Sequence, residues 1–495
     1  MPGSSSAHLR SVGLPRAPAA RAISRRQCLA ALLPAALCPL RTAFAAPPKP
    51  NILFIMIDTL RADHVGCYGY DKPTTPNLDR LAREGVRFTN FHTASPWTMP
   101  SVMTMLTSLH PTVHGATSAQ RRASLKVRTL AERLKDSGYA RTAAITSNPM
   151  VNSRYGFAQG FDLYDDYTIF FAHELNLFAV DDVDHRKSIT EAVTSQTVTR
   201  MASEWLGKHG RDGPWFLFLL YFDPHDRYVP PSPWDRKFDP HPGAESRKRT
   251  DTGPHLLHPR VTPDELEHAI ALYDGEIGYT DHCIGQLLAK LETLTLRDNT
   301  LVLVTSDHGE EFLDHGGVRH GHTLYGELTR GILILRHPGR LPAGKVVAAP
   351  AYHLDVTPTL LDCTGEKTDP ECQGASRLAA MLGKTPERRA PEPEPIFLEA
   401  TTKEAPRALV LGRHKLILDT ASRQEELYDL KADPGEKTNL AAKHPDLSAK
   451  LRGILDAHVS QCAALAKKYH IEGDAARPQL TRQDIDALRQ LGYLQ

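Results

Sequence analysis

The sequence predicts an α/β fold, with a mixed, mostly parallel β-sheet covered by helices on both faces. Five short segments are almost continuously apolar, which is typical of strands buried on both faces rather than on one. They are residues 51–57, 140–145, 215–222, 301–304 and 332–335. Longer segments with apolar residues at helical spacing lie between them, at 125–137, 189–206 and 266–291. A 495-residue chain that is 41% hydrophobic also has ample material for a large core.

Reactive residues follow three of these predicted strands. Asp58 follows the first strand, His225 comes soon after the third, and Asp307 and His308 follow the fourth. Ligands of open α/β sheets bind beyond the carboxyl ends of the strands. If the strands are parallel, these side chains converge at one edge of the sheet.

Asp58, Asp307 and His308 together form a candidate metal site. Carboxylate oxygens and an imidazole suit a divalent cation, and the imidazole favours manganese or zinc. Each residue taken alone is equally well explained as a cap of a helix or turn. The combination of the three at strand ends favours the metal.

Thr98 lies at the predicted start of a helix whose first turn is marked by Pro100. A hydroxyl at this position faces free N–H groups and the positive end of the helix dipole, which would stabilise an alkoxide or an oxyanion. Threonine is also a good helix N-cap, and spacing alone favours that alternative.

The segment 314–322 reads DHGGVRHGH, in which histidines and an arginine stand among glycines. Such groups can bind an anionic ester and stabilise its transition state, while a solvated loop is the alternative. His225 is placed to protonate a leaving group, although a lone histidine is equally typical of a structural role.

Residues 1–45 read as an export signal. Arg25 and Arg26 precede a short apolar run, 28–40, and small residues suited to cleavage follow at 43–45. The pair resembles a twin-arginine signal, with an ordinary secretory signal as the alternative. The run is too short for a stable membrane span, so we expect a periplasmic or secreted protein.

Net charge and proline content describe the organisation of the remaining chain. Six arginines lie before residue 46, and without them the chain carries a net charge of −5, which argues against a nucleic-acid partner. The proline-rich segment 386–395 separates a predicted catalytic domain, 46–385, from a smaller α+β subdomain, 395–495.

Five cysteines follow the signal, and of these Cys363 and Cys372 either form a disulfide or are buried thiols.

Several motifs in this order resemble the sulfatase branch of the alkaline phosphatase superfamily. They are 51–58 (NILFIMID), 75–81 (TPNLDRL), 98–101 (TMPS), 106–107 (LT), His225, 274–277 (DGEI), 306–309 (SDHG), 353–355 (HLD), 358–360 (PTL), 426–430 (ELYDL), 433–434 (DP), 439–440 (NL) and a tail at 488–494. The resemblance spans about residues 50 to 440 and implies an alkaline-phosphatase-like fold.

The resemblance also implies roles for individual residues. Asp58, Asp307 and His308 would hold one divalent metal, for which the resemblance implies calcium or magnesium, and Thr98 would be the nucleophile in contact with it. His225 would serve the leaving group. His320 would be the second cationic contact of the substrate, with His322 as the alternative.

The chain departs from the family pattern at the nucleophile. Sulfatases usually carry a cysteine that is converted to formylglycine in a C-x-P-x-R motif, whereas this chain has Thr98 and Val102 at the first and last positions. Formylglycine is therefore not expected. Thr59 replaces a second acidic residue, and the segment 146–149 (TSNP) lacks the family's lysine and histidine.

These observations predict an exported, metal-dependent hydrolase of sulfate or phosphate esters that uses Thr98 unmodified. One alternative is a phosphodiesterase or phosphotransferase of the same superfamily. The other is a binding protein that kept the fold and lost the reaction. The residues leave open the natural substrate, the choice between sulfur and phosphorus, and the oligomeric state.

Overall fold

The computed structural model describes residues 49–166, 194–239, 261–367, 369–384, 393–401, 405–470, 477–482, 484–485 and 488. The predicted export signal lies outside the described residues, as does most of the proline-rich segment. The strands are β1 Asn51–Ile57, β2 Val86–Phe88, β3 Phe91–His92, β4 Arg141–Thr146, β5 Leu163–Asp165, β6 Trp215–Tyr221, β7 Thr300–Ser306, β8 Glu311–Phe312, β9 Val318–Arg319, β10 Leu333–Arg336, β11 Lys345–Val347, β12 Ala351–Tyr352, β13 Ile396–Glu399, β14 Arg407–Leu411, β15 His414–Leu418 and β16 Glu425–Asp429.

The helices are α1 Pro76–Glu84, α2 Thr98–Thr107, α3 Pro111–His114, α4 Leu130–Asp136, α5 Ser195–His209, α6 Trp234–Lys237, α7 Pro263–Thr293, α8 Gly326–Thr329, α9 Val356–Cys363, α10 Leu378–Met381 and α11 Pro445–Tyr469. Short 3₁₀ helices span Ala62–His64, Gly66–Tyr68, Pro149–Val151, Ser153–Tyr155, Arg297–Asn299 and His353–Asp355. The helix predicted at 125–137 begins only at Leu130, because Thr129 and Glu132 form a capping box there.

A mixed sheet forms the centre of the described chain, with strand order β11-β2-β10-β7-β1-β6-β4-β5. Strands β7, β1, β6, β4 and β5 run parallel, and β10 pairs antiparallel with both of its neighbours. The prediction of a mixed, mostly parallel sheet is therefore confirmed.

The apolar runs are continuous because both faces of the sheet are covered. In β1, Ile52, Phe54 and Met56 belong to the core on one face, which α2, α4 and α9 complete. Leu53, Ile55 and Ile57 point to the opposite core, which α1, α5 and α7 complete. Since successive side chains of a strand alternate between faces, a strand buried on both sides has no polar alternation.

Strands β13 to β16 form a separate antiparallel sheet with α11 against one face. On that face Leu416 and Leu427 of the sheet pack on Leu451 and Leu455 of the helix. The other face packs on residues of the preceding chain, including Leu354.

The cysteines of the described chain are free, Cys363 and Cys372 among them. Cys363 is buried and burial raises the pKa of its thiol to about 12, which agrees with the thiol alternative. Within the described residues, no helix is both long and apolar enough to cross a membrane.

A buried ion pair holds the small sheet in place. Lys415 of β15 lies 2.7 Å from Glu436 Oε1, and both side chains are almost fully buried. Glu436 Oε2 accepts a 2.5 Å hydrogen bond from the backbone N–H of Gly326, at the start of α8. Removing one member of such a pair leaves an uncompensated charge in the interior.

We therefore expect Lys415→Met to lower the free energy of unfolding by about 3–5 kcal/mol, measured by urea denaturation. The double variant Lys415→Met/Glu436→Gln removes the stranded charge and should lose less. Lys443→Met, at an exposed position, is the control and should change stability by less than about 0.5 kcal/mol. Equal losses in the single and double variants would contradict the charge argument.

Candidate functional site

Four neighbouring parallel strands of the central sheet deliver the residues of the site. Asp307 follows β7, Asp58 follows β1, His225 lies beyond β6, and Asn148 lies beyond β4. Parallel strands place their carboxyl ends at one edge, so residues far apart in sequence meet there. The backbone N–H of Asp58 also bonds to the carbonyl oxygen of Tyr221, which fixes the end of β1 against β6.

Asp58, Asp307 and His308 come together as the sequence predicts. One ligand atom from each lies within 4.8 Å of those of the other two, and all three side chains are fully buried. His308 Nε2 is 3.3 Å from Asp307 Oδ2 and 3.7 Å from Asp58 Oδ1.

The electrostatics of this cluster fit a cation. The His308 Nδ1–H donates to the carbonyl oxygen of Gly309, so Nε2 presents its lone pair toward the carboxylates. Burial lowers the pKa of His308 to about 3, which keeps the imidazole neutral. Burial first, and then the Asp307 carboxylate, raise the pKa of Asp58 well above its usual range.

One atom of the cluster is orphaned. Asp307 Oδ2 is buried and accepts no hydrogen bond from the described residues, whereas Oδ1 accepts from the backbone N–H groups of Thr59 and His308. Lone pairs that face each other across 3.3 Å repel unless a positive charge lies between them. The donor set therefore fits a divalent cation.

Thr98 is the first residue of α2, and the N-cap position belongs to Trp97. The Thr98 hydroxyl makes no capping hydrogen bond, so the alternative that spacing alone favours is not the observed arrangement. Its Oγ1 lies 3.1 Å from His308 Nε2 and 3.4 Å from Asp58 Oδ1, and it is fully buried. The hydroxyl thus belongs to the same cluster as the carboxylates.

Three imidazoles adjoin one another at this edge. The ring centroid of His320 is 4.4 Å from that of His308 and 5.0 Å from that of His225. The His225 Nδ1–H donates to the carbonyl oxygen of Asp226 at 2.7 Å. Burial lowers the pKa of His225 well below its usual range and that of His320 to about 3.

The histidines of the segment 314–322 have different surroundings. The side chain of His320 is only 6% exposed, and its Nδ1 is 2.9 Å from Glu310 Oε1. The side chain of His322 is 40% exposed and pairs with Glu311. His315 stacks on Tyr325 at 3.6 Å and has a structural role. Of the two candidates for the second substrate contact, the structure brings only His320 against His308.

Two site residues were missed by the sequence reasoning. Asn148 donates from Nδ2 to Asp58 Oδ2 at 2.5 Å, in the segment noted only for lacking the family's lysine and histidine. Its position after a buried strand was the available signal. Glu310 contacts His320, and burial raises its pKa to about 8. Proximity to Asp307 and His308 in the sequence could have identified it.

A family model described as "Sulfatase" matches residues 50–366, and one described as "N-sulphoglucosamine sulphohydrolase, C-terminal" matches residues 307–461. The chain is 26% identical over 446 residues to the uncharacterized sulfatase YidJ of Escherichia coli (strain K12), covering 82% of this chain and 86% of the relative. It is 28% identical over 437 residues to a choline-sulfatase of Rhizobium meliloti (strain 1021), covering 79% and 82%. The fold is similar to the phosphonate monoester hydrolase of Agrobacterium radiobacter, with a TM-score of 0.69 at 21% identity over 84% of this chain and 96% of that one.

Proposed function

This chain belongs to the sulfatase family of the alkaline phosphatase superfamily, whose members hydrolyse sulfuric or phosphoric esters, and we propose that it does so with the unmodified Thr98 hydroxyl as nucleophile. The observation that carries the proposal is the position of Thr98 Oγ1, 3.1 Å from His308 Nε2 and 3.4 Å from Asp58 Oδ1. A threonine that only capped its helix would turn its hydroxyl to the backbone instead.

Asp58, Asp307, His308 and the Thr98 oxygen would hold one divalent cation. When bound, the cation would neutralise the buried carboxylates, favour the Thr98 alkoxide and stabilise negative charge on the ester oxygens. The Asn148 amide, which donates to Asp58 Oδ2, holds that carboxylate in place. Thr59 and His308 do the same for Asp307 through their backbone N–H groups.

The reaction would proceed in two steps. Thr98 Oγ1 attacks the phosphorus or sulfur atom, a new O–P or O–S bond forms, and the bond to the leaving oxygen breaks as that oxygen takes a proton. Water or an acceptor alcohol then gives its proton to the now neutral His225, attacks the same atom and releases Thr98 Oγ1 as the alkoxide, which restores the starting state. His225 would give the leaving-group proton, because an anionic ester beside the ring favours its imidazolium form.

His320 would bind the non-bridging oxygens of the ester. Glu310 holds its Nδ1, which directs Nε2 away from that carboxylate. The family resemblance implies a cationic contact near this position, which supports the role of His320. The charge of the ester would favour the imidazolium here as well.

Phosphate esters suit this nucleophile better than sulfate esters. A formylglycine enzyme can expel sulfate by collapse of a hemiacetal, whereas a threonyl ester is released only by attack at phosphorus or sulfur. The choline-sulfatase among the relatives supports sulfate. The missing formylglycine favours phosphate mono- or diesters, with transfer to an alcohol as the second candidate reaction.

A panel of nitrophenyl esters tests the proposal. The purified protein would be assayed on the sulfate, phosphate, phosphodiester and phosphonate, each with and without chelator. We expect chelator-sensitive turnover, faster on the phosphorus esters. Tight binding of these esters without turnover, at saturating metal, would support the binding-protein alternative and contradict the proposal.

The role of His225 has its own test. We expect His225→Gln to lower turnover of an alkyl ester by about 10²–10⁴-fold, because an alkoxide needs a proton to leave. Turnover of the matched nitrophenyl ester, with its better leaving group, should fall much less. His282→Gln, at an exposed position on α7, is the control. An equal loss on both esters would place His225 elsewhere in the reaction.

Export is proposed from residues 1–45 alone. We expect replacement of Arg25 and Arg26 by lysine to abolish periplasmic delivery, because the twin-arginine route requires the pair. This route lets a metalloprotein fold around its ion in the cytoplasm. Lysine at Arg16 and Arg21 is the matched control, and cell fractionation is the measurement. Undiminished delivery of the Arg25/Arg26 variant would contradict the twin-arginine assignment.

A further inference from the structure

A second cluster of metal-ligating side chains lies apart from Thr98. His110 follows α2 and begins the turn into α3, whereas His458 and Cys462 are on α11. One ring nitrogen of each histidine and the Cys462 sulfur all lie within 4.8 Å of one another. His458 Nε2 is 3.4 Å from Cys462 Sγ.

His458 and Cys462 share one face of α11. Residues four apart in a helix are neighbours on its surface, which is the spacing by which one helix supplies two ligands to zinc. His110 reaches the same point from the opposite side, with its ring centroid 4.4 Å from that of His458. Two distant parts of the chain therefore converge on one position.

The ligand atoms are buried and not fully satisfied. His110 is 2% exposed and Cys462 is 1% exposed. His110 Nδ1 is buried and has no hydrogen-bond partner among the described residues. Burial lowers the pKa of His458 to about 4, and it lowers that of His110 well below the usual range. Both imidazoles are therefore neutral and have a lone pair to offer.

A buried carboxylate lies next to this group of three residues. Glu399 Oε1 lies 4.0 Å from His110 Nδ1, and the residue is 5% exposed. Its other oxygen, Oε2, accepts from the backbone N–H and the hydroxyl of Thr112 at 3.2 and 2.5 Å. These bonds orient the carboxylate and leave Oε1 on the side of the histidine.

Neighbouring groups hold the ligands in place. The Gln373 side chain accepts from the backbone N–H of His110 at 2.9 Å and donates to Cys462 Sγ at 3.9 Å. The His458 ring stacks on Phe397 at a centroid distance of 3.6 Å. Supporting contacts of this kind are a recurrent feature of metal sites.

We propose that His110, His458 and Cys462 bind one zinc ion, with the neighbouring Glu399 as the fourth ligand. The ion would link α11 to the segment that follows α2. Two neutral imidazoles, one thiolate and one carboxylate give a neutral complex with Zn²⁺, as a buried site requires. The thiolate favours zinc over the hard cations that suit an all-oxygen site. A surface cleft of about 450 Å³, lined in part by Glu399 and Thr112, lies next to the proposed site.

Cobalt substitution tests the proposal on the full chain. The protein would be stripped with chelator and titrated with Co²⁺, which binds zinc sites and shows a thiolate-to-cobalt charge-transfer band in the near ultraviolet. The cluster around Thr98 offers no sulfur, and of the two candidate metal clusters in the described residues only this one contains a cysteine, so the band distinguishes the two. We expect the band at about one equivalent per chain, and its loss on addition of zinc.

Variants identify the ligands. We expect Cys462→Ser to lose the band, and His458→Gln to weaken cobalt binding by about 100-fold or more. Cys67→Ser, a partly buried thiol elsewhere, is the control and should keep it. In an Asp307→Asn background, zinc should still raise the unfolding temperature, and Cys462→Ser should abolish that shift.

The wild-type protein by itself can overturn the proposal. Absence of the charge-transfer band at saturating cobalt would do so whether or not any variant folds. Persistence of the band in folded Cys462→Ser would do so too. Neither outcome bears on Thr98, because the nitrophenyl ester assays measure that site separately.

Discussion

Thr98→Ala is expected to fold normally and to lose turnover by about 10³-fold or more, because the atom that attacks the ester is gone. The substitution removes the hydroxyl that lies 3.1 Å from His308 Nε2. Alanine is compatible with the helical backbone of α2 at this position. The measurement is kcat on the best substrate of the ester panel, with far-ultraviolet circular dichroism as the check on folding.

Two further variants make the test specific. Thr98→Ser keeps the hydroxyl and should stay partly active. Thr107→Ala is the matched control, because Thr107 is a buried threonine of the same helix. Among the described residues its hydroxyl bonds to the Met103 carbonyl oxygen and the Leu109 N–H, away from Asp58 and His308. It should cost about 1 kcal/mol of stability and leave turnover nearly unchanged. Near-normal turnover of folded Thr98→Ala would remove Thr98 as nucleophile and favour a water molecule instead.

Asp307→Asn is expected to abolish tight metal binding at the Thr98 site and to lower turnover by about 10³-fold. Asparagine keeps an acceptor for the Thr59 and His308 N–H groups but takes the charge from the orphaned Oδ2. Metal content by mass spectrometry and kcat are the measurements. His308→Ala should lose the same metal, because it removes the lone pair that faces Asp307.

Removal of the metal gives a second readout. Chelator should lower the unfolding temperature of the wild-type protein, because the Asp58 and Asp307 carboxylates then face each other uncompensated in the interior. In Asp307→Asn one of the two charges is gone, so chelator should have little effect through this site. Asp223→Asn is the control for a buried strand-end carboxylate, since Asp223 accepts from Thr194 and Ser195 instead. Full metal content in both Asp307→Asn and His308→Ala would show that the ion is held elsewhere.

The sequence predicted the central sheet well because a strand buried on both faces is a run of consecutive apolar residues. Residues 52–57 and 215–222 are apolar at every position, as expected of a strand covered on both faces. The antiparallel direction of β10, by contrast, cannot be read from the residues of that strand. Its antiparallel pairing depends on how the chain returns from the segment between β7 and β10.

Within the site, the strand-end residues could be predicted and the loop residues could not. Asp58, Asp307 and His308 come within two residues of strands whose parallel order already brings them together. His320 and His322 are two residues apart in a glycine-rich loop, and periodicity does not distinguish them. In the folded chain His320 contacts Glu310 and His308, and these contacts distinguish its surroundings from those of His322.

By itself the sequence determined the fold class, the family and three candidate metal ligands at the ends of adjacent strands, because hydrophobic period and continuous apolar runs can be read from neighbouring residues. The tertiary structure alone decided that Thr98 is the first residue of α2 rather than its cap, and that Asn148 reaches Asp58. It alone brought His110 to His458 and Cys462, across almost 350 residues. Such contacts depend on the packing of whole elements, and the spacing of residues along the chain carries no trace of that packing.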